Sequence, residues 1–507
     1  MRKPHFRILI SFIVLFGAII PVESMSGKKR AAMPQQREGH RVILNPCRIP
    51  DVEGEARCGS YEVFEDREVR KGRRIALKIV VLPALNPQLV PEALFILAGG
   101  PGQGATDNAE FFASTFANAR RNRDIVLVDQ RGTGSSNPLD CDLRGGSGLQ
   151  RYFGDLYPVD AVRRCRELLE QKANLRLYTT PIAMDDLDEI RSALGYEQIN
   201  LFGTSYGTRA ALVYMRRYPH RVRAVIMKGV VPMSLILPHA IARDAQRSLD
   251  LLFADCAADE PCRRAFPNLK QEFQVVLNRL DRETAKTKLS DPGTDEVEQV
   301  EISRGLFATT LRSLLQNVNA TSQVPMLIHG AFDNDFAPFA RLALTLRRGA
   351  ADLLSSGMFL SVICAEDIPL TNPNVVAREG KGTFLGDYYV QQLTEASEIW
   401  RCGQIPRGYN QPIRSKIPVL LISGHLDPAT PPSGAAETAR YLPNSLHLVI
   451  KNGSHSYAGL SPCVDKIMAA FIEKGAVKGL DTSCINQIRR LPFVITSTES
   501  KPRENIR

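Results

Sequence analysis

The chain has 507 residues, 44% of them hydrophobic and 23% charged, with a formal net charge of +10. That composition excludes a disordered chain, and the length allows a large core or two. The basic residues are scattered, without the aromatic-and-basic clustering of a nucleic-acid binder, so no nucleic-acid partner is expected.

The first segment, Met1 to Ser24, reads as a secretory signal: Arg2, Lys3 and Arg7 start it, Ile8 to Val22 are apolar, and small residues follow at Ser24 and Ser26. Pro21 interrupts the apolar stretch, which is short for a membrane span. The expected location is therefore periplasmic or secreted, with no stable membrane insertion once the signal is removed. Ser26 to Glu38 is polar. From Arg41 onward the pattern turns strand-like, with Arg74 to Leu82 the clearest alternation.

Two buried strands follow, each ending in a glycine-rich loop. Ala93 to Ala98 leads into Gly99-Gly100-Pro101-Gly102, and Asp124 to Asp129 leads into Gln130-Arg131-Gly132-Thr133-Gly134. A third apolar run, Ile199 to Phe202, leads into Gly203-Thr204-Ser205-Tyr206-Gly207 and then a helical stretch from Thr208 to Tyr218. Strand, sharp glycine-flanked turn and helix are the context in which a serine becomes a nucleophile. Three such loops predict a mostly parallel sheet with its loops gathered at one edge. Thr180-Pro181 is read as opening a helix through Leu194, with Asp185, Asp186 and Asp188 as helix-end stabilisers.

Beyond Pro232 the buried strands give way to helical periodicity, as in Ile241 to Phe253, Phe273 to Leu280 and Leu306 to Leu315, with Ser290 to Glu298 as a polar connector. Strands resume at Ile417 to Ile422 and Ser445 to Ile450. The predicted organisation is a signal (1–24), a first core part (41–232), a mainly helical insertion (233–415), a second core part (416–485) and a tail (486–507).

A serine hydroxyl needs a base, and the base needs an orienting acid. The strand at Ile417 runs into Ser423-Gly424-His425-Leu426-Asp427, and the strand at Ser445 runs into Lys451-Asn452-Gly453-Ser454-His455. Ser205, Asp427 and His455 thus stand in the order nucleophile, acid, base, each after a core strand. His425 competes for the base but precedes the last strand. The oxyanion donors expected are the backbone N–H groups of Tyr206 and of the Gly99-Gly100 loop.

The ten cysteines fit an exported, disulfide-bonded chain. Pairing of sequential neighbours (Cys47 with Cys58, Cys141 with Cys165, Cys256 with Cys262, Cys364 with Cys402, Cys463 with Cys484) is one arrangement; spacing leaves connectivity open. Neither Cys-x-x-Cys nor His-Glu-x-x-His occurs, so no metal or cofactor is expected.

Taken together, Gly99-Gly100-Pro101-Gly102, Asp129-Gln130-Arg131-Gly132-Thr133-Gly134, Gly203-Thr204-Ser205-Tyr206-Gly207, Asp427 and His455 resemble the proline iminopeptidase and tripeptidyl aminopeptidase family of α/β-hydrolases, over about Cys47 to Cys484. Cys364 and Cys402 resemble paired cysteines of its secreted tripeptidyl-aminopeptidase-like branch. The resemblance implies an α/β-hydrolase fold with a helical cap. It also implies release of residues from free N-termini of short peptides, and cap acids that hold the substrate amine, for which Glu366 and Asp367 are the candidates. An esterase or amidase, or a non-catalytic binding protein on the same scaffold, are the alternatives. The chain departs from the family pattern at Ala98, where iminopeptidases usually carry His, at Lys228, where relatives often carry an acid, and at Ser454, where Gly usually precedes the His.

Overall fold

The computed structural model describes residues 42–86, 91–456 and 462–496; the expected signal and the end of the tail lie outside them. Nine strands form one sheet in the order β1-β2-β3-β5-β4-β6-β7-β10-β11. β1 (Ile43–Cys47), β2 (Ala56–Phe64) and β3 (Arg74–Leu82) pair antiparallel, and β3 joins β5 (Ile125–Val128) antiparallel. From there β4 (Leu94–Leu97), β6 (Ile199–Thr204), β7 (Val222–Lys228), β10 (Val419–Gly424) and β11 (Ser445–Ile450) are all parallel.

The strands are apolar on both faces because helices cover both. Successive residues split between two cores: Phe95, Leu201, Val225 and Leu421 pack on one side, Ile96, Phe202, Ile226 and Leu420 on the other. With β5, β4, β6, β7, β10 and β11 running the same way, their C-terminal loops gather at one edge, as the sequence predicts.

β10 lies beside β7, with Val419 opposite Val225, although the chain between them is long. That connection carries helices such as Leu237–Ala258, Leu269–Leu280, Arg304–Leu315, Ser356–Glu366 and Tyr388–Ile399. These helices have a hydrophobic core of their own around Leu249, Phe273, Phe307 and Phe339. Two details differ from the sequence reading. The expected connector at Ser290 to Glu298 is the turn of a hairpin, β8 (Ala285–Ser290) with β9 (Val297–Ile302), whose Leu289, Val300 and Ile302 are buried by alternation. The helix at Thr180 takes Thr179 as its N-cap residue. Asp185, Asp186 and Asp188 serve side chains instead of the helix end: Asp185 pairs with Arg217, Asp186 with Arg131 and Arg67, and Asp188 with Arg191.

All ten cysteines are bonded, each to its sequential neighbour. Cα separations of 5.2 to 5.9 Å suit such bridges. Among the described residues no helix is long and apolar enough to cross a membrane.

Candidate active site

Ser205 sits between β6 and helix Tyr206–Arg217 with φ 55° and ψ −125°, a conformation disfavoured for a residue with a Cβ. Its surroundings hold it there. The Ser205 N–H donates to Lys228 O at 2.9 Å, and its carbonyl accepts from Thr208 Oγ1 at 2.6 Å. The flanking glycines are required by close approach. A Cβ on Gly203 would lie 2.4 Å from Gly207 O, and one on Gly207 would lie 2.1 Å from Leu97 O.

Asp427 follows β10 and is fully buried. Its Oδ1 accepts from the N–H groups of Ala429 and Thr430 at 2.7 and 2.8 Å. Its Oδ2 accepts from Thr430 Oγ1 at 2.6 Å and faces His455 Nδ1 at 2.8 Å. Burial alone would raise this carboxyl's pKa. The His455 ring, the Thr430 hydroxyl and the Thr430 N–H outweigh it and hold the value at about 2. Asp427 therefore stays ionised and orients the imidazole.

The loop carrying His455 is fixed from two sides. Leu426 N–H donates to Gly453 O at 2.9 Å, joining it to the acid's loop. Ser456 N–H donates to Gln316 O at 2.8 Å, and Ser454 Oγ donates to Leu315 O, joining it to the end of helix Arg304–Leu315. His425 plays no such part. Its backbone N–H donates to Ile450 O and its carbonyl accepts from Arg247. His447, inside β11, bonds Ser423 Oγ.

Ser205, Tyr206, Gly100 and His455 border one cleft of about 160 Å³, with Asp427 behind the histidine. Of the two glycines expected as oxyanion donors, Gly99 has its N–H turned to Gln103 Oε1 at 3.1 Å, and Gly100 is the one at the cleft. The Asp-Gln-Arg-Gly segment braces this edge. Asp129 accepts from Thr106 N–H and Oγ1 (2.8 Å each) and from Ser135 N–H (3.0 Å), linking the two glycine loops. Arg131, fully buried, makes two bonds to Asp186 at 2.6 and 2.9 Å.

The two acids expected to meet a substrate amine are buried and already paired, not solvated. Glu366 accepts from Thr180 N–H at 2.7 Å, Thr180 Oγ1 at 3.0 Å and Tyr409 OH. Burial raises its pKa although Arg209 and these donors oppose the shift. Asp367 does line the cleft, but it takes both terminal nitrogens of Arg209, at 2.9 and 3.2 Å, and the N–H of Leu237 at 3.0 Å. Burial works against the Arg209 charge, yet Asp367 more than compensates and leaves its pKa above the ordinary arginine value.

Residues 92–458 match the family described as the α/β hydrolase fold. The chain belongs to that family. The chain is 25% identical to serine protease Hip1 of Mycobacterium tuberculosis (strain ATCC 25618 / H37Rv), over 93% of this chain and 95% of that one. It is 24% identical to the tripeptidyl aminopeptidase of Streptomyces lividans, over 84% and 83%. It is 27% identical to the proline iminopeptidase of Neisseria gonorrhoeae, over 29% and 34%.

Sequence reasoning passed over Arg209, Thr430 and Arg312. Arg209 stands one helical turn after Ser205, so its place near the serine was readable from the i, i+4 rule. Thr430 follows an Asp-Pro turn signal, where an aspartate commonly caps the N–H groups just ahead. Arg312 lies in helix Arg304–Leu315 with no local pattern to mark it.

Proposed function

We propose that this protein is an exported serine hydrolase that cleaves short peptides through an acyl-enzyme, releasing residues from the free N-terminus. Ser205 Oγ attacks the substrate carbonyl while His455, through the ring nitrogen away from Asp427, takes the hydroxyl proton. Asp427 holds the ring and stabilises the imidazolium. The Tyr206 and Gly100 N–H groups receive the oxyanion. His455 then protonates the leaving amine, and water repeats the sequence on the acyl-Ser205 ester. The observation that carries this reading is the His455–Asp427 contact of 2.8 Å on a cleft shared with Ser205. The names of the relatives support peptide bonds as the target. The five disulfides and the expected leader support export.

A second reading, an esterase or amidase on a small acyl compound, is favoured by the pairing of Glu366 and Asp367, which leaves neither carboxylate unpartnered for an amine. Two measurements test these readings. A fluorophosphonate probe should label the wild type and not Ser205→Ala, whose turnover should drop by about 10⁴-fold or more. Peptide anilides with free N-termini should then be cleaved faster than their acetylated forms and faster than simple acyl esters. Equal rates for free and acetylated peptides would remove the aminopeptidase claim. Absence of labelling in folded protein would leave only a binding role.

A further inference from the structure

Three charged side chains border the cleft: Arg209, Asp367 and Arg312. The first two neutralise each other. Arg312 has neither an ion pair nor a hydrogen bond among the described residues, and its Nε is buried without a partner. Five other arginines also bury an Nε without a hydrogen bond, namely Arg123, Arg151, Arg166, Arg209 and Arg247, but each of them bonds through a terminal nitrogen. Arg312 does not. The Tyr389 ring lies 5.7 Å from its guanidinium carbon, and Asp427, Tyr157 and Asp244 act on its charge electrostatically without an ion pair to it. A ring face attracts the cation but accepts nothing from the N–H donors at the guanidinium edge.

An arginine left in that state is costly unless something completes it. Its position is well fixed for that purpose. It lies on helix Arg304–Leu315, whose end is bonded to the His455 loop through Leu315 O and Gln316 O. Whatever Arg312 grips is therefore held in register with the base. Beside it, Phe359 and Tyr389 line the cleft, and Tyr157 packs on both, stacked on Phe359 at 5.8 Å and edge-on to Tyr389 at 6.4 Å.

We propose that Arg312 is the specificity-determining residue of this site and binds a carboxylate of the substrate, with an apolar or aromatic residue seated against Phe359 and Tyr389. This rests on the serine-hydrolase reading above and names the substrate class for it. A planar guanidinium with its edge unserved matches a carboxylate in bidentate fashion. That carboxylate is either the C-terminus of a short peptide or an acidic side chain.

The test uses the purified full-length enzyme and three peptides of equal length built on one phenylalanine-containing sequence. One carries a free C-terminal carboxylate, one is its C-terminal amide, and one is the amide with an internal glutamate. At least one acid should exceed the neutral amide in kcat/KM by about ten- to a hundredfold. The free acid winning assigns the chain end; the glutamate peptide winning assigns a side chain. Arg312→Gln should bring that ratio to near one, and Arg312→Lys should restore part of it. Should Arg312→Gln fail to fold, as judged by its thermal transition, the wild-type ratio and the Arg312→Lys ratio decide. Equal rates on all three peptides in wild type, or a ratio that survives Arg312→Gln, would overturn the proposal. A wild type that the fluorophosphonate labels but that shows no carboxylate preference sinks this inference alone; one that does not label sinks the hydrolase reading beneath it.

Discussion

The sheet side of the cleft and the helical side are held by different means. On the sheet side, Ser205 is held by a backbone bond to Lys228 O, and its turn is closed by glycines at which an added Cβ would come within 2.4 Å of a backbone oxygen. On the helical side, Arg312, Asp367, Phe359 and Tyr389 project from the long connection between β7 and β10, where Asp367 is paired with Arg209 and Arg312 has no ion pair among the described residues. The first wall leaves almost no freedom in residue type. The second can change its electrostatics by a single substitution without disturbing the turn beneath the nucleophile. In the proposed reading, chemistry and selectivity fall to separate parts of one cleft.

The Arg209–Asp367 pair crosses between those walls and is the most sensitive place to probe the division. Arg209 belongs to the helix after the nucleophile, Asp367 to the connection, and both are nearly fully buried. Arg209→Met should destabilise the protein by about 3–5 kcal/mol, because it strands a buried carboxylate. The double substitution Arg209→Met with Asp367→Asn should recover most of that loss, since Asn still accepts from Leu237 N–H. Urea unfolding of the two singles and the double reads the coupling. Additive losses would mean that the walls are energetically independent.

The same division explains what was readable in advance. Around Ser205, Asp427 and His455, each residue stands at the end of a buried strand, and strand ends leave local marks: apolar runs, glycines, Asp-Pro. The order of parallel strands then gathers those ends at one edge. In the connection, burial is decided by partners distant in sequence. Glu366 and Asp367 stand next to each other in sequence, but Glu366 is taken by Thr180 and Tyr409 and Asp367 by Arg209, which no local pattern announces. The hairpin β8–β9 was missed for a related reason: one face is exposed and charged, so its alternation reads as polarity. Arg312 is the limiting case, since its significance is the lack of a hydrogen-bond or ion-pair partner among the described residues, which is visible only in three dimensions.

Disulfides sharpen the comparison at intermediate size. Cys364–Cys402 ties the helix that ends in Glu366 to a segment 38 residues on, near the end of the connection. Replacing both cysteines with serine should cost about 2–4 kcal/mol, chiefly by loosening the unfolded chain's constraint. Because the bond lies wholly on the helical side, fluorophosphonate labelling of Ser205 in the folded fraction should persist while peptide selectivity broadens. Loss of labelling in protein that retains its thermal transition would show that the helical wall also sets the nucleophile's geometry.

Acid titration is the smallest effect and isolates the sheet side. Asp427 has its carboxyl lowered from 3.8 to about 2 by His455 and Thr430. A depressed folded value means the unfolded chain binds the proton more readily, so ionised Asp427 favours the fold. That contribution is fully present above about pH 4, the ordinary aspartate value, and disappears as pH falls through about 2. Asp427→Asn lacks the titration, so the stability gap between wild type and variant should narrow progressively as pH falls from about 4 toward 2. Urea midpoints at several pH values measure it. A gap that stays level to pH 2 would mean that the ionised carboxylate is not what holds His455, and the orienting role would then pass to the Thr430 hydroxyl, which lies 3.0 Å from His455 Nδ1.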